Sequence, residues 1–444
     1  MQLKNYPEYK ESGIQWIGEI PEGWEVSRVK HICSKSAEYG LNVPSDNYVD
    51  EGVRFLRTTD ITENERLIEN GVYLPENRIN KEYLLDAGDV LVARSGSIGT
   101  SLYFDKRKYG KCSFAGYLVR FVVNNLNNGR FLYYFTKSKT FYAQIESQSI
   151  QTTIENFNAQ RYANMQISVP PLSDQITIAS FLDKQTARID ALIEKDKKLI
   201  ALLKEKRTAL INHAVTKGLD PNVKLKDSVV DWIGEVPEGW SIRKLSHISD
   251  RISVGFVGTI EKYYTDEDEG IPLLKTGNVG FGKLRLDDLS YVTKEFHILD
   301  KKSQLKPGDI VIARHGESGR SSVIPNNLKE SNCLNIVLLK TGKGMSGAYH
   351  TYLLNSQLVQ EHLQAIQGGA VQGVINTEDI AYLRFHHPPL SEQLQIVDYL
   401  DKATSKIDKT IKLIEKKIKL LQEYKKSLIY QVVTGKMDVR GVEA

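Results

Sequence analysis

The chain repeats itself, and the repeat constrains its fold more than any other feature. Pro170-Pro171-Leu172-Ser173-Asp174-Gln175 returns as Pro388-Pro389-Leu390-Ser391-Glu392-Gln393, an offset of 218 in a chain of 444 residues. Trp16-Ile17-Gly18-Glu19-Ile20-Pro21-Glu22-Gly23-Trp24 returns as Trp232-Ile233-Gly234-Glu235-Val236-Pro237-Glu238-Gly239-Trp240 at an offset of 216. Gly88-Asp89-Val90-Leu91-Val92-Ala93-Arg94 returns as Gly308-Asp309-Ile310-Val311-Ile312-Ala313-Arg314 at 220. So small a drift predicts two halves of one architecture that differ in their loops. Each half reads as an opening motif, a mixed globular region and a long closing helix.

The closing segments contain neither proline nor glycine from Ser173 to Lys217 or from Ser391 to Thr434. The proline pairs cannot lie inside a helix, so the helices are expected to start just after them. Ser173 and Ser391 then serve as N-caps, with Asp174 or Glu392 in the first turn. Gly218 and Gly435 stand where helix-ending glycines belong. About 44 residues between these signals make on the order of 65 Å of helix. In the second segment Ile407, Ile411, Ile414, Ile418, Leu421, Lys425 and Leu428 alternate steps of four and three. Shifted by 218, the first segment gives Ile189, Ile193, Asp196, Ile200, Leu203, Arg207 and Leu210. Each set is a coiled-coil seam, so the two helices are expected to pair with each other. Antiparallel pairing with the seam centres opposed brings Asp196 near Lys425, and a two-fold repeat favours it.

The globular regions are mostly strand-like. Val53 to Arg57 and Ile271 to Lys275 are short runs that end at polar turns, Thr58-Thr59-Asp60 and Thr276-Gly277-Asn278. Asp89 to Ala93 and Asp309 to Ala313 are apolar, β-branched runs entered by a Gly-Asp turn, which predicts buried strands. Leu118 to Val123 and Asn335 to Leu339 read similarly, while Gly129 to Gln148 and Gly347 to Gln367 carry a helical pattern. The expected class is α+β: two mixed α/β domains with mainly antiparallel sheet, separated by two long helices paired as an antiparallel coiled coil. In order, 1–172 is the first domain, 173–218 the first helix, 219–389 a linker with the second domain, 390–436 the second helix and 437–444 a tail.

Composition is ordinary for a water-exposed globular chain, 41% hydrophobic and 26% charged. No apolar run approaches the roughly 20 residues of a membrane span, and the first residues lack a signal-peptide core. Cys33, Cys112 and Cys333 are far apart, which argues against a zinc or disulfide framework and suits a reducing cytoplasm. Residues 184–217 hold nine basic and four acidic residues and 402–436 hold ten and three, so the rest of this +4 chain is net negative. Such helices either present a solvated face or help hold a polyanion nearby.

Catalytic motifs are sparse. Thr341-Gly342-Lys343-Gly344 lacks the spacing and hydroxyl of a phosphate loop, and no glycine-rich nucleotide fingerprint follows a strand. Val169-Pro170-Pro171-Leu172 and His387-Pro388-Pro389-Leu390 lack the amide or acid and the aromatic of an adenine-methylating motif; they punctuate helices. His386-His387 has no ligand-spaced partner, so no metal site is expected. Asp89 and Asp309 read as turn residues. What remains are matching polar loops. Arg94-Ser95-Gly96-Ser97 and Arg314-His315-Gly316-Glu317 leave buried strands through glycine turns, where Arg contacts a phosphate or guanine, or else pairs with an acid. Gln148 to Thr153, with Gln151, and Gln367 to Gly373, with Gln372, are rich in amide, hydroxyl and glycine, as adenine-reading loops and ordinary surface loops both are.

Taken together, the duplicated opening motif, the Gly-Asp strand ending in Ala-Arg and the Pro-Pro-Leu-Ser-x-Gln helix start resemble the specificity (S) subunits of type I restriction-modification enzymes, over essentially the whole chain. The resemblance implies two target-recognition domains, each reading half of a bipartite site in double-stranded DNA, with the paired helices as a ruler between them. It implies docking of two modification (methyltransferase) subunits and of restriction (endonuclease and translocase) subunits, in the cytoplasm. It implies a non-catalytic chain without its own cofactor, with S-adenosylmethionine, ATP and Mg on the partner subunits. Because Gly40 to Asp60 has little in common with Phe256 to Asn278, an asymmetric target is expected. By position, DNA-reading residues are expected among Arg57, Thr59, Arg94, Ser97, Gln148, Gln151, Lys275, Asn278, Arg314, His315, Gln367 and Gln372. Other readings are a recognition subunit of a related restriction system with a different subunit partition, a catalytic methyltransferase or endonuclease with fused recognition domains, and a protein-binding coiled-coil scaffold.

Overall fold

The two segments free of proline and glycine form helices from Leu172 to Lys217 and from Leu390 to Val433, 46 and 44 residues long. They are seen in a computed structural model, which describes residues 4–14, 16–62, 66–149, 156–316, 318–366 and 373–442. Gly218 and Gly435 end them at φ +76° and +72°, a conformation glycine adopts without strain. The starts differ from expectation by one position. Both helices begin at the leucine, so Ser173 and Ser391 lie within the first turn, and Ser173 Oγ bonds Asp174 Oδ1 at 3.3 Å. The backbone carbonyls of Pro171 and Pro389 instead accept the first helical N–H groups, those of Asp174 and Glu392, both at 2.9 Å.

The glutamine of the motif does the tying. Gln175 Nε2 donates to the Pro170 carbonyl (2.8 Å), and its Oε1 accepts from the Asn128 N–H (2.8 Å), at the start of helix Gly129–Phe135. Gln393 repeats both bonds, to Pro388 O and from Ser346 N, each 2.8 Å. Both glutamines are buried and their amides are bonded, so the motif joins a long helix to its globular region.

Compactness divides the chain within the helices. One unit comprises Met1–Asp196 and Glu415–Ala444, the other Lys197–Ile414. Each therefore holds the first half of one long helix and the second half of the other, and in each the two run antiparallel. In the first unit Lys425 Nζ lies 2.9 Å from Asp190 Oδ1, and Lys417 Nζ 2.9 Å from Asp196 Oδ2. In the second, Arg207 Nε lies 2.9 Å from Asp408 Oδ1. Ile189, Ile193, Asp196, Ile407, Ile411, Ile414 and Leu428 are buried, while Ile200, Leu203, Leu210, Ile418, Leu421 and Lys425 are half-buried. The expected seam residues thus lie at buried or half-buried positions, but Asp196 pairs with Lys417 and not with the expected Lys425. Centring the seams ignored how the helix ends dock: Ser168 Oγ donates to the Val433 carbonyl (3.2 Å) and Gly435 abuts Trp24, which slides the register. Cysteines at 190 and 425 should therefore be bridged by a short bis-maleimide, and cysteines at 196 and 425 should not. Efficient bridging of the latter pair would reject this register. Background reaction should be slow, because burial pushes the thiols of Cys33 and Cys112 up to about 12 and about 11 and that of Cys333 higher.

The globular parts repeat one topology. The first unit has a four-stranded antiparallel sheet ordered Cys33–Tyr39, Leu118–Val123, Val90–Ala93, Ser101–Tyr103. The second orders Ser249–Val254, Val337–Thr341, Ile310–Ile312, Ser321–Val323 in the same way. A second sheet in each contains one parallel pairing, Leu56 with Phe114 and Leu274 with Cys333. The Gly-Asp strands are apolar throughout because both faces are covered. Val90 and Val92 join Trp24 and Phe131 in one core; Leu91 and Ala93 join Leu56 and Phe114 in another. Ile310 and Ile312, against Val311 and Ala313, divide likewise. Asp89 and Asp309 are turn residues as read, accepting the N–H groups of Asp86 (3.0 Å) and Lys306 (2.9 Å).

Candidate nucleic-acid interface

In the first unit the loops that follow the buried strands converge on a cleft of about 700 Å³. Its lining includes Asn42, Tyr48, Arg57, Thr59, Ser97 and Tyr117. Of the residues expected from sequence, the cleft thus unites Arg57, Thr59 and Ser97, and the latter two are exposed there. Arg57 leaves strand Val53–Leu56 and is held by Asp60, with Nη2–Oδ1 at 2.9 Å and its guanidinium 5.8 Å from the Tyr48 ring centroid. Asp60 is fully buried and also accepts the Arg57 N–H (2.8 Å). The guanidinium is thereby fixed in direction while a third of the side chain stays exposed (33%), as suits contact with an acceptor outside.

Arg94 is neither a free reader nor paired with an acid. Nε donates to Asn156 Oδ1 (3.0 Å) and Nη1 to the Gly116 carbonyl (3.3 Å), and the guanidinium lies 4.6 Å from the Tyr39 ring centroid. It clamps the loop at 156 to the strand end. Arg314 does the same in the second unit, with Nε to the Ile375 carbonyl (3.2 Å) and Nη1 to Asn335 Oδ1 (2.9 Å). Gln148 is half-buried at the end of helix Lys139–Ser149 and does not line the cleft. Gln151, Gln367 and Gln372 lie outside the described residues.

Lys275 occupies the place of Arg57. Its N–H donates to Asn278 Oδ1 (2.8 Å), and Nζ lies 4.8 Å from the ring centroid of Tyr264, itself 41% exposed. Asn278 is not placed to read DNA. It is buried, and its Nδ2 donates to the carbonyls of Arg285 (3.0 Å) and Asp288 (3.1 Å), so it braces the turn as Asp60 does. A short amide or acid at this position was legible; its inward direction was not. His315 is exposed beside the Arg314 clamp.

Two groups in the first cleft escaped the sequence reading. Thr58 Oγ1 is buried and has no hydrogen-bond partner among the described residues, a donor and acceptor open to a ligand. Tyr117 is 61% exposed and lines the cleft. It lies in a stretch that is one residue longer than its counterpart: Phe114 and Val119 align with Cys333 and Val337, yet one residue more lies between the first pair. Its only sequence signal was an aromatic beside Gly116, just before a buried strand.

This framework presents hydroxyls, a fixed guanidinium and tyrosine faces, groups suited to phosphate contact, base-edge hydrogen bonds and stacking. Among the described residues no cluster of His, Cys, Asp and Glu could hold a metal ion, and no helix is long and apolar enough to cross a membrane.

The sequence matches the family described as type I restriction modification DNA specificity domain over residues 21–202 and 237–423. It is 26% identical to the type I restriction enzyme MjaVIII specificity subunit of Methanocaldococcus jannaschii, over 98% of both chains. To the StySPI specificity subunit of Salmonella potsdam it is 24% identical, over 86% of this chain and 82% of that one. The fold resembles the HsdS subunit from Thermoanaerobacter tengcongensis, with TM-score 0.56 and 16% identity over 94% of this chain and 98% of that one. A chain solved in work on complex assembly and conformational transition of the type I R-M system gives TM-score 0.68 at 16% identity, over 93% of this chain and 98% of that one. With both halves matched to one family and the duplicated fold shared with its solved members, the chain belongs to the DNA specificity subunits of type I restriction-modification systems.

Proposed function

We propose that this chain is the sequence-reading subunit of a type I restriction-modification complex, each unit reading one half of an asymmetric bipartite site in double-stranded DNA. The observation that carries this is a repeated brace with unrepeated lining. Asp60 and Asn278 hold the same turn, and Arg94 and Arg314 clamp the same loop, while the exposed groups around them differ, Tyr117 and Thr59 in one unit and Tyr264 and His315 in the other. Like scaffolds with unlike tips suit unlike half-sites. Arg57, Thr59, Ser97, Lys275 and His315 remain the proposed contacts, joined by Thr58 and Tyr117.

Two modification subunits and the restriction subunits are the proposed partners, and these carry S-adenosylmethionine, ATP and Mg; this chain is non-catalytic. Exposed leucines on the outer helix faces offer them apolar contact: Leu192 and Leu420 in the first unit, Leu199, Leu202 and Leu413 in the second. Three free thiols suit action in the cytoplasm. The test exchanges residues 25–169 for the matching segment of another family member and maps methylated adenines in host DNA by sequencing. One half-site should change and the other persist. Change in both or in neither would reject the assignment.

A further inference from the structure

We propose that the second unit carries an open site for an arginine side chain of another polypeptide, a site that the first unit fills from its own chain. In the first unit Arg130 Nε donates to Asp183 Oδ1 (2.6 Å), and the Tyr134 hydroxyl donates to the same oxygen (2.6 Å) and lies 3.2 Å from Thr186 Oγ1. The guanidinium lies 4.7, 4.8 and 5.4 Å from the ring centroids of Tyr103, Tyr133 and Tyr134.

The second unit keeps the acid and its tyrosine. Tyr352 donates to Asp401 Oδ1 (2.7 Å) and lies 3.4 Å from Thr404 Oγ1. At the offset of 218, however, Arg130 and Tyr133 are replaced by Ala348 and Thr351, and strand Ser321–Val323 puts Val323 in the place of Tyr103. Three large side chains have become small. A cleft of about 600 Å³ results, and Val323, Ala348, Thr351, Tyr352, Asp401 and Thr404 are all in its lining.

Arg207 also borders this cleft but is not the missing guanidinium. It is bonded to Asp408 (2.9 Å), and that pair repeats Lys425–Asp190 of the first unit, which coexists with Arg130. The chemistry left open is a carboxylate beside a tyrosine face, which suits a planar guanidinium better than a compact ammonium.

The test uses the full chain, labelled at alanine and threonine methyl groups for NMR, and two probes: acetyl-Gly-Arg-Gly-amide and its uncharged citrulline counterpart. The methyl signals of Ala348 and Thr351 should shift saturably with the arginine peptide. Binding should weaken by about tenfold or more for the citrulline peptide and in Asp401→Asn, as for loss of a charged hydrogen bond. Ala348→Arg, which restores the arrangement of the first unit, should abolish the shift at Thr351. No saturable shift, equal binding of citrulline, or a shift that survives Ala348→Arg would each overturn the proposal. None of these readouts needs DNA or another subunit, so failure here leaves the DNA-reading assignment standing.

Discussion

Between pH 6.5 and 4.5 the second unit is expected to lose most of its stability while the first stays folded. Burial holds His350 near 3 and His386 near 4, and lowers His387 and His362 as well. His350 Nδ1 lies 2.8 Å from the Ser346 carbonyl with its ring centroid 5.5 Å from that of His387, and His386 stacks on Trp240 at 5.5 Å. Lys217 near His386 and Arg243 near His387 further oppose protonation. Above pH 6.5 both folded and unfolded chains carry these rings neutral, so pH has no effect through them. Below 6.5 the unfolded chain takes up protons that the folded chain refuses until pH 3–4, so stability falls with pH across that window. Each fully buried ring contributes a loss of about 1.4 kcal/mol per pH unit. His350 and His386 together therefore remove roughly 5 kcal/mol by pH 4.5, comparable to the whole stability of a modest domain. The first unit holds one histidine, the exposed His31. Asp89 and Asp309 are raised alike by burial in equivalent places and do not separate the units. Hydrogen exchange followed by mass spectrometry at stepped pH should show peptides of 197–414 losing protection first. His350→Leu, the residue that the first unit carries at Leu132, should remove about half of the pH dependence attributed to this pair. Simultaneous loss of protection in both units would count against the argument.

Trp240→Ala should destabilise the second unit by about 3–5 kcal/mol, and Trp24→Ala the first by a similar amount. Each tryptophan is almost fully buried and packs against the glycine that ends a long helix, Gly435 for Trp24 and Gly218 for Trp240. The opening motif thus seals a helix end, that of the distant second helix for Trp24 and that of the directly preceding first helix for Trp240. The pair differs at the ring nitrogen: Trp240 Nε1 donates to Glu392 Oε2 (3.0 Å), whereas Trp24 Nε1 has no partner among the described residues. Trp240→Phe should therefore cost about 1–3 kcal/mol more than Trp24→Phe, because it leaves a carboxylate unpaired. Thermal unfolding resolved by unit through hydrogen exchange measures both, and equal costs for the two phenylalanine variants would contradict the role given to Glu392.

Much of the fold was legible because its signals are local or periodic. The seam at Ile189, Ile193, Ile407, Ile411 and Ile414 follows from a spacing that puts those residues on one helix face. The strands at Val90–Ala93 and Ile310–Ile312 follow from apolar, β-branched runs. Direction of side chains was harder to read. Nothing near Asn278 distinguishes an amide turned outward from one satisfied by three backbone groups, and nothing near Arg94 announces the Asn156 side chain and Gly116 carbonyl that hold it.

The sequence by itself determined that there are two copies of one architecture, where the long helices start to within a residue, and that the two helices pair, although the second ends at Val433, three residues before the expected 436. Those properties depend on composition over a few turns or on comparison of the chain with itself. Tertiary structure alone decided which seam residues oppose one another, because Trp24 and Ser168 set the helix ends from more than 260 residues away in sequence. It alone also decided that each helix belongs half to one compact unit and half to the other, and that a cleft lies beside Ala348 in the second unit where the first unit holds Arg130 on Asp183. These depend on which distant surfaces meet, and spacing along a chain carries no record of that.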